Sequence, residues 1–316
     1  MAPSLTASRV VVVSGKGGVG KTTIAAAFAL AAARAGKHVL LAELEDRQAF
    51  APLFDVTEVG PTPRTLAPNI TGVSIEPDEA LVEYLRVAYG IPKISRALIR
   101  SRAIEFATHT APGLKDILLI GTVKQAEGEQ RSGAPLYDLI VVDAPPTGRL
   151  PRFLDAPRAV AELVQGGPIR RQAEGVRSWV LDPAKLQVVL VTHAEEMPVR
   201  ETAEAIEAIQ KMGIELGPVV VNGIWPDIRG LGRDARATLA SNAADSGIEL
   251  SDTALAALAE VASVQARRSH HQRKALKQLD RDVALPQACV PYLFTARMDR
   301  EELTTLSHKL EGSGLL

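Results

Sequence analysis

The residues with the plainest chemistry lie in Val10-Val-Val-Val-Ser-Gly-Lys-Gly-Gly-Val-Gly-Lys-Thr-Thr23. Gly15 to Thr22 satisfies the spacing G-x-x-x-x-G-K-[ST], with a β-branched run before it and an Ala-rich stretch after it. Gly15, Gly17, Gly18 and Gly20, interleaved with Lys16 and Val19, let successive backbone N–H groups close around an anion. Each of them is therefore expected to face the bound phosphates. The helix expected from Lys21 onward then turns its positive end toward that anion. In such a loop Lys21 reaches the β- and γ-phosphates of a nucleoside triphosphate, and the Thr22 hydroxyl, followed by Thr23, ligates Mg²⁺. A second apolar run ends in Asp143 and continues as Ala-Pro-Pro-Thr-Gly148. An aspartate at a strand tip beside a phosphate loop holds a water of the Mg²⁺ shell. Pro145 and Pro146 stiffen the exit, and Gly148 offers an unscreened backbone N–H. This segment is therefore expected to sense a γ-phosphate and to relax once it is cleaved.

Such groups need a rigid frame, and the chain supplies short β-branched runs for one. They are Val10–Val13, Val39–Leu44, Leu139–Val142, Val188–Thr192, Val219–Val221 and a weaker Ala288–Leu293. Unbroken apolar strands, as opposed to alternating ones, indicate a mostly parallel sheet covered on both faces. Helical patterns at Lys21–Ala35, Pro198–Met212 and about Asp252–Asp280 separate them. The expected fold is therefore α/β: a three-layer P-loop NTPase domain over residues 1–316. Two stretches lack clear strands, at about 52–135 and 150–185. Both are expected to be helical insertions at the carboxyl edge of the sheet, where ligands bind in such folds. Leu81, Leu85, Ala88, Ile94, Leu98 and Phe106 recur near helical spacing in the first.

Composition narrows the function. Among 316 residues, 36 Lys and Arg balance 37 Asp and Glu, so no basic excess supplies nucleic-acid affinity by counterion release. A single cysteine, Cys289, excludes an internal disulfide and a four-thiolate metal site within the chain. It is expected to be a buried, inert thiol in a strand-like run. The first nine residues are short and polar, and the longest apolar run, Ile24–Ala33, is far below the roughly 18 residues that span a bilayer. A cytoplasmic protein that is not integral to a membrane is expected. The basic run containing His270-His271 reads as a solvated helix surface, because adjacent residues on a helix do not share a face. His193, at a strand end, reads as structural.

Residues 142–154, Val-Asp-Ala-Pro-Pro-Thr-Gly-Arg-Leu-Pro-Arg-Phe-Leu, resemble the second switch of the arsenite-pump and tail-anchored-protein targeting ATPases, which usually reads Asp-Thr-Ala-Pro-Thr-Gly-His. Val191-Thr-His-Ala-Glu-Glu-Met-Pro-Val-Arg-Glu-Thr202 is similar to a segment of that family leading into a helix. Val219-Val-Val-Asn222 resembles its adenine-binding strand end, and Val290-Pro291-Tyr292 its loop over the base. Closest in overall look are the short actinobacterial members, which can pair as non-identical subunits. The resemblance implies ATP and Mg²⁺, with Asn222, Pro291 and Tyr292 at the base. Lys16 places the loop in the deviant subclass, where the added lysine reaches a partner's phosphates across a homodimer or heterodimer. The family's catalytic aspartate falls on Glu45, one methylene longer, and in-line attack tolerates little misplacement. Glu43 and Asp46 stand beside it as substitutes.

The output of such a switch stays open at this stage. A hydrophobic or membrane-protein client fits the family, although the helices at 80–106 also read as ordinary packing. A partition or septum-positioning ATPase shares the loop, but the chain lacks a basic excess, and Leu306–Leu316 is too short and glycine-broken for a membrane helix. A metabolic ligase would need a second substrate pocket. A hydrolysis-impaired subunit of a heteromeric ATPase is the further alternative. Three-thiolate arsenite capture is beyond one cysteine per chain. A bridging iron–sulfur cluster needs two per subunit, and the zinc-clasping Cys-x-x-Cys is absent.

Overall fold

The structure is a computed structural model that describes residues 7–45, 48–89, 113–227 and 235–312. In chain order the first elements are β1 (Val10–Gly15), α1 (Lys21–Arg34), β2 (Val39–Leu44), β3 (Arg64–Ala67), β4 (Ile70–Ile75), α2 (Pro77–Tyr89) and α3 (Leu114–Gly128). A two-residue hairpin, β5 (Gln130–Arg131) and β6 (Ala134–Pro135), precedes β7 (Leu139–Asp143), α4 (Leu150–Leu163) and α5 (Gly167–Val180). The chain continues through β8 (Leu186–His193), α6 (Glu196–Lys211), β9 (Leu216–Ile224), α7 (Ala235–Asp245), α8 (Asp252–Asp282), β10 (Gln287–Pro291) and α9 (Arg300–Glu311).

Eight strands form one sheet in the order β10-β9-β8-β1-β7-β2-β4-β3, parallel throughout except for the edge strand β3. This is the α/β, mostly parallel architecture expected of a P-loop NTPase. Strands β1, β2 and β7 are buried along their whole length. Alternate residues serve opposite faces. Val10 and Val12 join Leu119, Phe153 and Ile209 on one side of the sheet. Val11 and Val13 join Ile24, Phe28 and Leu306 on the other. Each such Val or Leu withdrawn from water contributes about 1.5–3 kcal/mol, which holds the strands that carry the site in place. Helix α1 packs between the sheet and α9, and its alanines at 25, 26, 27, 29, 31 and 32 are almost entirely covered. Small side chains let it sit close to β1, which fixes the phosphate loop at both ends. Among the described residues no helix is long and apolar enough to cross a membrane.

The first insertion differs from the expectation of an all-helical segment over 52–135. Strands β3 and β4 form an antiparallel hairpin whose second strand extends the sheet in parallel with β2. A Pro68-Asn69 turn joins them, with Asn69 at φ 61°, a conformation that asparagine tolerates. The β-branched Ile70, Thr71, Val73 and Ile75 carry the strand signal, but polar residues between them hide the apolar run. Helices α2 and α3 follow, and Leu81 packs with Ala80 and Leu118. Ile94, Leu98 and Phe106 lie outside the described residues. Residues 150–180 form α4 and α5.

Candidate functional site

β1 lies between β7 and β8, so the loop that leaves it is flanked by the ends of both. At Gly15 the backbone passes so close to β8 that a Cβ would collide with the Val191 carbonyl oxygen. Gly20 caps α1 at φ 87° and ψ 27°, in the left-handed region, with no side-chain cap on the helix N-terminus. The backbone N–H groups of the first helical turn are thereby left to an anion. Lys21 is only 8% exposed, and its Nζ lies 3.5 Å from the Lys16 carbonyl oxygen, folded under its own loop. Thr22 Oγ1 donates to Asp143 Oδ2 at 2.6 Å. Asp143 is fully buried and stands in register between Val13 of β1 and Glu43 of β2.

Gly17 and Gly18 are both exposed, with open space where a Cβ would stand, and Gly18 and Gly20 line the cavity beside the loop.

The segment after β7 is stitched to the phosphate loop. Ala144 N donates to Val13 O at 2.9 Å, and Thr147 N to Gly15 O at 3.2 Å. Ser14 Oγ donates to the Pro145 carbonyl at 2.5 Å. Movement of one loop therefore pulls the other. Thr147 Oγ1 is buried and has no hydrogen-bond partner among the described residues. Gly148 is exposed, with open space where a Cβ would stand.

Glu45, just past the end of β2, has its carboxylate held by two cations. Its backbone is left-handed at φ 69°. Its Oε1 accepts from Arg149 Nη1 at 2.5 Å and lies 3.0 Å from Lys115 Nζ. Arg149 Nη2 reaches across to Asp116 Oδ1 at 2.5 Å. Burial pushes the Glu45 carboxyl up, but the hydrogen bonds and charges of Arg149 and Lys115 outweigh it and hold Glu45 below its ordinary value. Glu45 is thus a firmly ionised anchor that ties β2 to the segment after β7 and to the first turn of α3. Glu43, fully buried, receives the Ala49 amide at 2.9 Å. Asp46 lies outside the described residues. Lys16 makes an ion pair with Glu201 of α6, Nζ to Oε1 at 2.7 Å.

A cavity of about 470 Å³ lies beside the phosphate loop. The expected residues Gly18, Gly20, Thr23, Asn222, Pro291 and Tyr292 all line it. Asn222 Nδ2 donates to the Val19 carbonyl at 2.9 Å, so the tip of β9 braces the phosphate loop. Trp225, Arg268, His271 and Gln272 line the same cavity and are not foreseen from the sequence. Trp225 stacks on Tyr292 at 4.7 Å, meets Phe294 edge-on at 5.1 Å and has the Arg268 guanidinium 3.9 Å above its ring. Gln272 exchanges hydrogen bonds with the Trp225 backbone, at 3.0 Å to its N–H and 3.4 Å to its carbonyl. Positions 268, 271 and 272 share one face of α8 by i, i+3, i+4 spacing. The solvated-surface reading holds for His270 and His271, both exposed, and His271 also lines the cavity. His193 also lines the cavity, and burial depresses its basicity. The expectation of a buried Cys289 is overturned. On edge strand β10, Ala288 and Val290 turn inward and Cys289 turns outward.

Known proteins place this arrangement. The sequence profile of the anion-transporting ATPases matches residues 8–172 and 167–231. ATPase BagA of Mycobacterium tuberculosis H37Rv is 44% identical over 224 residues, covering 69% of this chain and 66% of that protein. The arsenical pump-driving ATPase of Acidiphilium multivorum is 27% identical over 233 residues, covering 68% and 39%. Putative arsenical pump-driving ATPase 2 of Aquifex aeolicus is 26% identical over 252 residues, covering 69% and 81%. The chain spans about two thirds of the length of the mycobacterial relatives it matches, and less of the Acidiphilium protein. The profile match covers more than half of the chain, and the chain belongs to the anion-transporting ATPase family.

Proposed function

We propose that this chain is a Mg²⁺-dependent ATPase that works as a dimer and changes state as it binds and hydrolyses ATP. The observation that carries the reading is the 2.6 Å hydrogen bond from Thr22 Oγ1 to Asp143 Oδ2. It sets two hard oxygens side by side at the mouth of the phosphate loop, a donor set that suits Mg²⁺, with Thr22 ligating directly and Asp143 through water. When bound there the ion would neutralise charge on the phosphates. The chain's own residues do the rest. Backbone N–H groups of Gly15–Thr22 and the Lys21 ammonium bind the β- and γ-phosphates, and Asn222, Pro291 and Tyr292 hold adenine. Thr147 and Gly148 sense the γ-phosphate, and loss of that phosphate slackens the segment that carries Arg149.

Glu45 is the candidate for orienting the attacking water. Phosphoryl transfer asks more for positioning than for proton abstraction, so a carboxylate of low basicity can serve. To do so Glu45 must exchange Arg149 for the water, and turnover is slow as a result. That hold by two cations also favours a second reading, a subunit that binds ATP and hydrolyses it poorly without a partner. Coupling to a hydrophobic client is supported by an apolar cavity of about 270 Å³ between α2, α3, α4 and α5, lined by Leu114, Ile117, Leu118, Val160 and Val176.

Phosphate release and ATP binding by the purified chain test these readings. Release in Mg-ATP that disappears with EDTA, in Lys21→Ala and in Asp143→Asn supports the first. Tight ATP binding with turnover only after a second subunit is added supports the other. Failure to bind ATP refutes both.

A further inference from the structure

Lys16 and Glu201 lie 185 residues apart in sequence yet form a direct ion pair of 2.7 Å. The fold explains how they meet. Gly15 pairs in register with Val191 of β8, and α6 starts just beyond the end of that strand. Val199 and Thr202, close to Glu201 on α6, are 0% and 1% exposed. A fixed helical turn therefore presents this carboxylate, whereas Lys16 rides on the glycine loop. Both side chains are about one third exposed, at 33% and 34%. An ion pair that wet is among the weaker contacts in a protein and is readily exchanged.

We infer that Glu201 is a positioning residue that acts as a catch. It holds the Lys16 ammonium on its own subunit until the phosphates bound by a second copy compete for it. The inference rests on the proposed dimer, in which Lys16 acts across the interface. One carboxylate offers a single negative charge, whereas a triphosphate offers several. The exchange therefore runs forward only when ATP is present in the facing site, and the catch makes closure depend on nucleotide. An isologous pair of subunits releases two such catches on each closure.

The test is the protein-concentration midpoint of dimer formation, read by sedimentation velocity with the slowly hydrolysed analogue Mg-ATPγS, with Mg-ADP, and without nucleotide. Glu201→Gln removes the charge at a surface position and should lower the ATPγS midpoint by about two- to thirty-fold, as two exposed ion pairs are no longer broken. The ADP and nucleotide-free midpoints should not move, whereas a purely structural effect would shift all three. Glu201→Lys should move the ATPγS midpoint further in the same direction, and Glu201→Asp should retain part of the catch. In a Lys16→Ala background, Glu201→Gln should have no effect. If Lys16→Ala weakens ATPγS-driven association but Glu201→Gln leaves it unchanged or weaker, the catch is wrong and the dimer reading stands. If Lys16→Ala also changes nothing, or no variant associates, the dimer reading itself fails and the inference falls with it.

Discussion

Arg149→Met should be among the costliest single changes outside the sheet, and its size can be worked from two hydrogen bonds. The guanidinium, 34% exposed, spans Glu45 and Asp116 at 2.5 Å each. The Glu45 arm is partly screened by water, and Lys115 at 3.0 Å compensates for part of its loss. That arm is therefore worth about 0.5–1 kcal/mol. The Asp116 side chain is only 10% exposed, so losing its cation leaves a carboxylate poorly solvated, at about 1.5–3 kcal/mol. Together Arg149→Met should cost about 2–4 kcal/mol, against about 0.5 kcal/mol for Lys115→Met. In a chain of this size that lowers Tm by roughly 3–6 °C. Urea denaturation of Arg149→Met, Asp116→Asn and the double variant gives the coupling, which should exceed about 1 kcal/mol. Additive single effects, or an Arg149→Met cost below about 0.5 kcal/mol, would refute the claim that this arginine fastens the two loops to α3. The pH dependence has a definite sign. Glu45 titrates below its ordinary value of 4.5 in the folded chain, so its contribution is present above that pH and is lost as the pH falls through the lower folded value. The stability gap between wild type and Glu45→Gln should be constant near neutrality and shrink in acid.

Other outcomes follow from the same geometry. Lys21→Ala should abolish measurable Mg-ATP binding by calorimetry, because the loop loses its buried cation. ATP should raise Tm more than GTP does, and Asn222→Ala should narrow the difference; equal protection by the two nucleotides would remove Asn222 from base recognition. Nucleotide binding should change the fluorescence of Trp225, which lines the cavity, and Trp225→Phe should remove that change while buried Trp179 of α5 stays silent. Submillimolar arsenite should neither bind tightly nor stimulate phosphate release, since one cysteine per chain cannot assemble three thiolates.

The legibility of this chain follows the sequence distance over which each feature is encoded. The phosphate loop and the central strands are readable because each is written in one run: Val10–Val13 has no polar residue to mislead, and Gly15–Thr22 is complete in eight positions. The β3–β4 hairpin is hidden because Thr71, Gly72 and Ser74 break its apolar run at an edge of the sheet. Only pairing with β2 makes a strand there profitable. Part of the lining of the cavity beside the phosphate loop is visible in Asn222, Pro291 and Tyr292. Trp225 and the Arg268, His271, Gln272 face are not, although that helical spacing is a usable signal. Cys289 is misplaced because a short apolar run does not say which of its faces an edge strand leaves open.

Glu45 marks where reading by position stops. Its place in the chain can be counted from β2, and the count puts a carboxylate where the family has its catalytic aspartate. What that carboxylate does depends on Arg149, 104 residues away, and on Lys115, neither of which the count includes. Where the family's pattern ends in histidine this chain has Arg149, a permanent cation with a forked donor set that can bridge two carboxylates at once. Glutamate at 45 and arginine at 149 therefore make sense as a pair. The longer acid reaches the fork. A double variant, Glu45→Asp with Arg149→His, tests this pairing. It should hydrolyse ATP faster than either single variant, because each single change leaves one member of the pair mismatched. Turnover in the double variant no higher than in the slower single variant would show that the two positions act independently.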